Sequence, residues 1–308
     1  WLEQKQERLA REGKSESRRQ RALADELEWI RSSPKARQAK SKARIKRFEE
    51  LSKIEYKKEN ATDSIIIPPG PRLGTQVIQA VNISKAFDDK LLYDDLSFTL
   101  PAGGIAGIIG PNGAGKTTLF ELIMGTQSPD SGSINIGETV KISYVDQKRM
   151  MNMDKTILEL IADGRDVLQV GDREINAREY ISKFNFGKNE HTKPLNLLSG
   201  GEKNRAYLAL TLQSGGNVLL LDEPTNDLDV YTIHALEEAL LEFAGSALVI
   251  SHDRYFLDRV CTHILAFEGD SSYKWFEGNF SDYEEDKIQR LGESAAIPKR
   301  ITYRRLTR

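Results

Sequence analysis

Apolar and polar positions follow three different patterns along the chain. In the first sixty residues the apolar positions form narrow seams in charged sequence: Leu23, Leu27 and Ile30 recur at helical spacing, as do Ile45, Phe48, Leu51 and Ile54. Such seams predict two amphipathic helices packed along one face. Ser32-Ser33-Pro34 between them reads as a turn, with Ser33 as N-cap and Pro34 as the first residue of the second helix. An antiparallel α-helical hairpin over 1–60 is therefore expected. Ile65-Ile66-Ile67-Pro68-Pro69-Gly70-Pro71 cannot continue a helix, because its prolines lack the amide donor; it predicts a stiff connector over 61–75. From residue 76 onward short β-rich runs alternate with turns and helical stretches. Ile105–Ile109, Val218–Leu221 and Ala247–Ile250 are unbroken apolar runs, the pattern of parallel strands buried on both faces. The expected architecture is an α/β domain over 76–285, preceded by the hairpin and followed by a basic tail over 286–308.

Charge sharpens this division. The net charge of −2 combines a first region, 1–58, with 18 Lys+Arg against 10 Asp+Glu, and a remainder with 26 against 36. Residues 29–48 hold Arg31, Lys35, Arg37, Lys40, Lys42, Arg44, Lys46 and Arg47 and no acid. Uncompensated positive charge repels itself, and a polyanion would offset that. With no aromatic residues among the tip cations, phosphate contact by Lys35, Arg37, Lys40, Lys42, Arg44, Lys46 and Arg47 is expected rather than base stacking. The competing reading is a solvated surface hairpin whose charges only keep it soluble. Lys299-Arg300 and Arg304-Arg305 leave the same choice open for the tail. No run of about 18 apolar residues is present, so nothing is expected to span a membrane. The single cysteine, Cys261, excludes a disulfide framework and reads as a small buried hydrophobe in a strand-like context; a reducing compartment follows, the cytosol or an organelle interior, and a cytoplasmic location is expected. The chain starts at Trp1 in the middle of a charged helical pattern, and a C-terminal portion of a longer protein is expected.

The candidate chemistry begins where Ile105–Ile109 runs into Gly110-Pro111-Asn112-Gly113-Ala114-Gly115-Lys116-Thr117-Thr118, a G-x-x-x-x-G-K-[ST] loop between a strand and a helix. Glycines let successive amides turn inward on phosphates, and the helix start offers its positive dipole end to the same anion. Lys116 adds a cation, and the Thr117 hydroxyl a hard oxygen for Mg²⁺. Val218–Leu221 ends in Asp222-Glu223 at the edge where parallel sheets hold ligands. Asp222 would hold Mg²⁺ and Glu223 polarise an attacking water. His252, after Ala247–Ile250, is placed to reach a terminal phosphate. His191, His234 and His263 lack such a context and read as surface or packing residues. A further pair of glycines, in Leu198-Ser199-Gly200-Gly201-Glu202, opens a helical run and forms a second anion site. One chain has no use for two such sites on one phosphate unless the second addresses a nucleotide bound elsewhere.

With these motifs in this order, residues 76–285 resemble the ATP-binding cassette superfamily. The resemblance implies a P-loop domain with a mixed-sheet core, a β subdomain and an α-helical subdomain. It makes Phe87 the adenine-stacking aromatic and Gly110, Asn112, Gly113, Ala114, Gly115, Lys116, Thr117 and Thr118 the Walker A loop. Gln147 becomes the Q-loop residue that joins Thr117 and Asp222 around Mg²⁺. Ser199, Gly200, Gly201 and Glu202 match the signature motif, Asp222 and Glu223 Walker B with the catalytic glutamate, Asp227 and Asp229 the D-loop, and His252 the switch histidine. Two cassettes of this superfamily sandwich ATP between one Walker A loop and the other's signature. Pro224-Thr225-Asn226-Asp227-Leu228-Asp229 is typical of the ABC-F branch, soluble two-cassette proteins that act on ribosomes; the likeness extends to Phe48-Glu49-Glu50-Leu51 and Phe276-Glu277-Gly278-Asn279-Phe280. It implies ATP and Mg²⁺ as cofactors, the ribosomal E site with its rRNA and the P-site tRNA as partners, and the hairpin as the tRNA-contacting linker. A second cassette, absent here, would complete both composite sites. A transporter ATP-binding subunit is the alternative, since its motifs are the same; a chromosome-organising ATPase or a non-enzymatic ribosome-binding module are further rivals.

Overall fold

The computed structural model describes residues 65–87, 90–144, 153–170 and 173–292. The expected hairpin with its cations, Gln147 and the tail from 293 lie outside these residues. Along the chain, strands β1 (Ile78–Phe87) and β2 (Lys90–Leu100) form a hairpin, and β3 (Ile105–Ile109) leads into α1 (Lys116–Ile123). After β4 (Ser131–Ile136) and β5 (Ile142–Ser143) come α2 (Ile157–Ala162), β6 (Val167–Val170), β7 (Arg173–Asn176), α3 (Ala177–Ser182) and α4 (Gly200–Gln213). The remainder alternates: β8 (Val218–Asp222), α5 (Val230–Leu241), β9 (Ser246–Ile250), α6 (Arg254–Val260), β10 (His263–Gly269), β11 (Ser272–Glu277) and α7 (Phe280–Leu291).

A six-stranded sheet in the order β11-β10-β3-β9-β8-β5 is the spine, and only β11 runs antiparallel to its neighbour. The unbroken apolar runs have a simple cause. Alternate residues serve different cores: Leu219, Leu221, Ala247, Val249, Ile105 and Ile264 join the core with helices α2 to α6, while Val218, Leu220, Leu248, Ile250, Ile108 and Leu265 join the core with α1 and the antiparallel sheet β2-β1-β4. Period-2 geometry sends successive side chains to opposite faces, so a sheet covered on both must be apolar throughout. Small residues set the layer spacing. A Cβ on Gly107 of β3 would lie 2.9 Å from both Cys261 Sγ and Leu257 Cδ2, so glycine lets α6 approach the strand. Cys261 is buried, as expected, but the strand-like context is corrected: it is the C-cap of α6, and β10 starts two residues later.

The helical layer is held by caps. Thr156 and Ser199 each form a capping box, with Glu159 and Glu202 respectively, and Asn176 caps α3. Between α3 and α4 the fully buried Tyr180 donates its hydroxyl to the Ala209 carbonyl at 2.9 Å. Helix α7 continues past residue 285 to Leu291 and is fixed by Arg290, which reaches Glu268 on β10 at 2.8 Å.

Candidate nucleotide-binding site

Strands β3, β9 and β8 are adjacent and parallel, in a register that pairs Ile108 with Ile250 and Ile250 with Asp222. Their C-terminal ends therefore open on one edge, and the loop after each delivers chemistry there. The loop after β3 runs from Gly110 to Gly115 and turns through three left-handed glycines, Gly110 (φ 150°), Gly113 (φ 77°) and Gly115 (φ 98°). Gly115 has no room for a side chain, since a Cβ would lie 2.8 Å from the Tyr93 ring. It is also the N-cap of α1, so that helix has no side-chain cap and no acidic residue in its first turn. The helices that begin after Thr156, Asn176, Ser199, Asp253 and Asn279 all have a side-chain cap. A helix start without a side-chain cap, curled about glycines, suits an anion.

Lys116 is buried at the centre of this edge. Its Nζ donates to the Gly110 and Pro111 carbonyls at 2.7 and 3.2 Å and lies 3.5 Å from His252 Nε2. Burial lowers its pKa, while Glu223 and Asp222 pull it back up. Thr117 Oγ1 donates to Asp222 Oδ2 at 3.2 Å, bringing a hydroxyl and a carboxylate oxygen together. Such a pair fits Mg²⁺, which takes one or two protein oxygens and completes its shell from phosphates and water. Among the described residues no group of three or more His, Cys, Asp or Glu could hold a metal by itself. Thr118 follows on the same helix turn, half-buried.

Glu223 stands just beyond β8. Its amide still donates to the Ile250 carbonyl at 2.8 Å, yet its φ of 49° turns the chain sharply into the D-loop. A left-handed non-glycine residue is strained, and the strain here aims the carboxylate at the edge. Glu223 Oε2 accepts from the His252 amide at 3.3 Å, and Oε1 lies 3.5 Å from His252 Nε2, which is also 3.2 Å from Asn112 Oδ1. Burial raises the Glu223 pKa against the opposing pull of the His252 amide and Lys116. His252 is lowered, first by desolvation and then by the Lys116 cation. The result is a carboxylate inclined to take a proton, beside an imidazole inclined to stay neutral.

Asn112, Lys116, Thr117, Asp222, Glu223 and His252 are thus joined in one cluster. Phe87, 44% exposed at the end of β1, pairs in register with Lys90, whose Nζ donates to the Gly113 carbonyl at 3.0 Å. An exposed ring therefore flanks the loop. Lys90 belongs to no motif, and no sequence signal could have singled it out.

The signature residues form a separate group. Ser199 and Glu202 cap α4 reciprocally, and Glu202 also meets Lys193 at 3.1 Å. The Ser199 amide and hydroxyl and the Lys193 ammonium hold the Glu202 carboxyl down at about 2. Gly201 faces the D-loop, where a Cβ would lie 2.6 Å from Asp227 Cβ, and Arg205 donates to the Asp227 carbonyl at 3.2 Å. Asp229 caps α5 through Thr232, at 3.0 Å from its amide and 2.9 Å from its hydroxyl. Gly200 differs: a Cβ there would meet nothing within 4 Å and its φ is not left-handed, so the chain's own packing does not demand glycine. Of the other histidines, His191 is fully buried with Nε2 3.2 Å from the Phe186 carbonyl, a packing residue as expected.

Residues 93–226 match the family described as ABC transporter. Along its whole length the chain is 55% identical to the energy-dependent translational throttle protein EttA of Mycobacterium tuberculosis and 53% identical to that of Escherichia coli. It spans about half the length, 56%, of each. A dimeric ATP-binding cassette in a post-hydrolysis state, bound to ADP and Pi, superposes with a TM-score of 0.53 at 21% identity, over 66% of this chain and 100% of that one. Cassette motifs in order, a cassette fold around them, and similarity to the throttle proteins along the whole of this chain agree: the chain carries an ATP-binding cassette.

Proposed function

We propose that this chain is the linker and one cassette of a translation factor that couples ATP binding and hydrolysis to residence on the ribosome. The observation that carries this reading is the 55% identity to throttle proteins over the entire chain, including the basic region ahead of the cassette, where a transporter subunit would have no reason to match. On this reading residues 1–60 form the hairpin that contacts P-site tRNA and rRNA from the E site, with Lys35, Arg37, Lys40, Lys42, Arg44, Lys46 and Arg47 on phosphates. Residues 61–75 connect it to the cassette over 76–285, and 286–308 form a basic tail. The protein works in the cytoplasm; no described helix is long and apolar enough to cross a membrane.

Within the cassette, Phe87 stacks on adenine and the amides of Gly110 and of Asn112 to Thr118 hold the phosphates. Lys116 releases its two carbonyl partners to reach the β- and γ-phosphates. Thr117 and Asp222, with Gln147, would hold Mg²⁺, which when bound would supply positive charge to the phosphate oxygens. Glu223 takes the proton of the attacking water as its oxygen bonds to the γ-phosphorus and the bond to the bridging oxygen breaks, giving ADP and phosphate. His252, held by Glu223 and Asn112, donates to the γ-phosphate. Ser199, Gly200, Gly201 and Glu202 address a nucleotide on a second cassette, with Gly200 leaving clearance for a phosphate. Asp227, packed on Gly201, carries the state of the D-loop to that interface. ATP closes the two cassettes, and hydrolysis opens them, shifting a population the ribosome binds preferentially. ATP turnover of the full-length protein, measured with and without ribosomes, tests the reading. Stimulation by ribosomes is expected; turnover that membranes stimulate and ribosomes do not would favour a transporter subunit.

A further inference from the structure

Asn217 lies where four segments meet. It is 2% exposed and sits between the end of α4 and the start of β8. Its side-chain amide donates to the Pro71 carbonyl at 2.8 Å and the Thr139 carbonyl at 2.7 Å, and its Oδ1 accepts from the Lys141 amide at 2.7 Å. Its backbone donates to the Lys141 carbonyl at 2.9 Å and accepts from the Ser246 amide at 3.0 Å. Both side-chain N–H groups and the side-chain oxygen are therefore used inside the protein, which fixes the orientation of the amide.

The segment it grips is the connector. Ile65, Ile67 and Pro68 are buried, and the two isoleucines join the same core as Leu208, Ala209 and Leu212 of α4. Gly70 lies against the backbone of the α4–β8 turn, where a Cβ would fall 2.6 Å from both Asn217 N and Gly216 C. That approach closes the seam between connector and cassette. From Asn217, β8 runs five residues to Asp222, about 17 Å at strand rise, and α4 runs back to the signature residues.

We infer that Asn217 and Gly70 form a clamp that seats the connector on the cassette, so that residues 65–71, to which the preceding region is joined, are held as one body with β8 and the signature helix. These are positioning residues and touch no nucleotide. The inference rests on the proposed role of that preceding region on the ribosome. Without the clamp, residues 65–71 would not be held to β8, and closure of the cassettes would not be passed to the connector.

The test uses the full-length protein with Gly70→Ala, which wedges the connector off without altering any residue of the ATP site. Ile67→Ala loosens the same seat by removing a buried anchor, and Gly74→Ala is the control, since a Cβ there meets only Thr139 Oγ1, at 3.3 Å. Trypsin cleavage after Arg72, an exposed residue within the seat, reports local opening. Gly70→Ala and Ile67→Ala should accelerate that cleavage about tenfold. Both should also lower ribosome-stimulated turnover about fivefold, leaving basal turnover within about twofold. Gly74→Ala should match the wild type in all three. The clamp is overturned if the wild type is cleaved as fast as the variants, or if the variants are cleaved faster yet keep full ribosome stimulation. A matching fall in basal turnover would show a merely structural seat and would also overturn it. Absence of ribosome stimulation in the wild type would instead defeat the proposed function, and the clamp would then stand or fall on the cleavage rates alone.

Discussion

Replacing Lys116 by methionine separates binding from folding. The lysine is 8% exposed and engages the Gly110 and Pro111 carbonyls through its ammonium at 2.7 and 3.2 Å. Methionine keeps much of the apolar stem and removes the charge and both donors. Bonds from an ammonium are charge-assisted even when the acceptor is neutral, and are worth ~1.5–3 kcal/mol each. The loss of a counter-charge to Glu223 and Asp222 adds to this; against both stands relief of a buried cation, whose desolvation costs several kcal/mol and already lowers its pKa. The terms oppose one another, and the net change in stability without nucleotide should stay within ~1–2 kcal/mol. Phosphate binding exchanges these two bonds for charge-assisted bonds to an anion; a net gain of ~1.5–3 kcal/mol is roughly 10- to 150-fold in Kd. Urea unfolding without nucleotide gives the first quantity, and titration with a fluorescent ATP analogue the second. Affinity within about twofold of wild type, or a stability loss beyond ~3 kcal/mol, would refute the assignment of Lys116 to phosphate binding rather than to the loop's own structure.

Other outcomes follow from single groups. Tyr180→Phe removes one buried hydrogen bond to the Ala209 carbonyl and should cost about 1 kcal/mol, seen as a Tm lower by ~2–4 °C, with ATP affinity unchanged. Glu237 on α5 is 2% exposed, and burial pushes its carboxyl from 4.5 up to about 7, although Arg259 Nε lies 2.8 Å away and pulls it down. The folded protein therefore holds this proton more tightly than the unfolded chain, so stability falls as pH rises from 4.5 towards 7. Glu237→Gln should remove that slope from unfolding curves at pH 5 and pH 8; an unchanged slope would place the proton elsewhere. Replacing Lys40, Lys42 and Arg44 by glutamine should weaken RNA binding and reduce the slope of log K against log salt by about 0.7–0.9 for each phosphate no longer neutralised. If affinity and slope both stay put, the region is a solvated hairpin.

How far these groups were legible depended on whether local chemistry or tertiary packing chose them. Ile105–Ile109, Val218–Leu221 and Ala247–Ile250 were readable as buried parallel strands because both faces of the sheet are covered, leaving no polar positions to blur the run. Lys116, Asp222, Glu223 and His252 were readable because each follows such a strand, and parallel strands bring their C-terminal ends to one edge. Ser199 and Glu202 carry two demands at once, a capping box and a signature. The order β2-β1-β4 and the bond from Lys90 to Gly113 were not readable, since nothing local dictates which loop a lysine will reach. Cys261 was placed in a strand because Val260-Cys261-Thr262-His263-Ile264 spans the end of α6 and the start of β10 without a polar break strong enough to mark the boundary. Asn217 resembles any polar residue before a strand; only the approach of Pro71, Thr139 and Lys141 gives it meaning.

The most direct test of the ATP-driven cycle is Glu223→Gln in the full-length protein, followed by co-sedimentation with ribosomes in ATP and in ADP. Glutamine keeps the shape of the side chain beside His252 and removes the proton acceptor, which should slow hydrolysis by about 10²- to 10⁴-fold while ATP stays bound. The variant should then accumulate on ribosomes in ATP and remain free in ADP. Turnover at the wild-type rate, or ribosome binding indifferent to the nucleotide, would contradict the assignment of Glu223 and the coupling of hydrolysis to release.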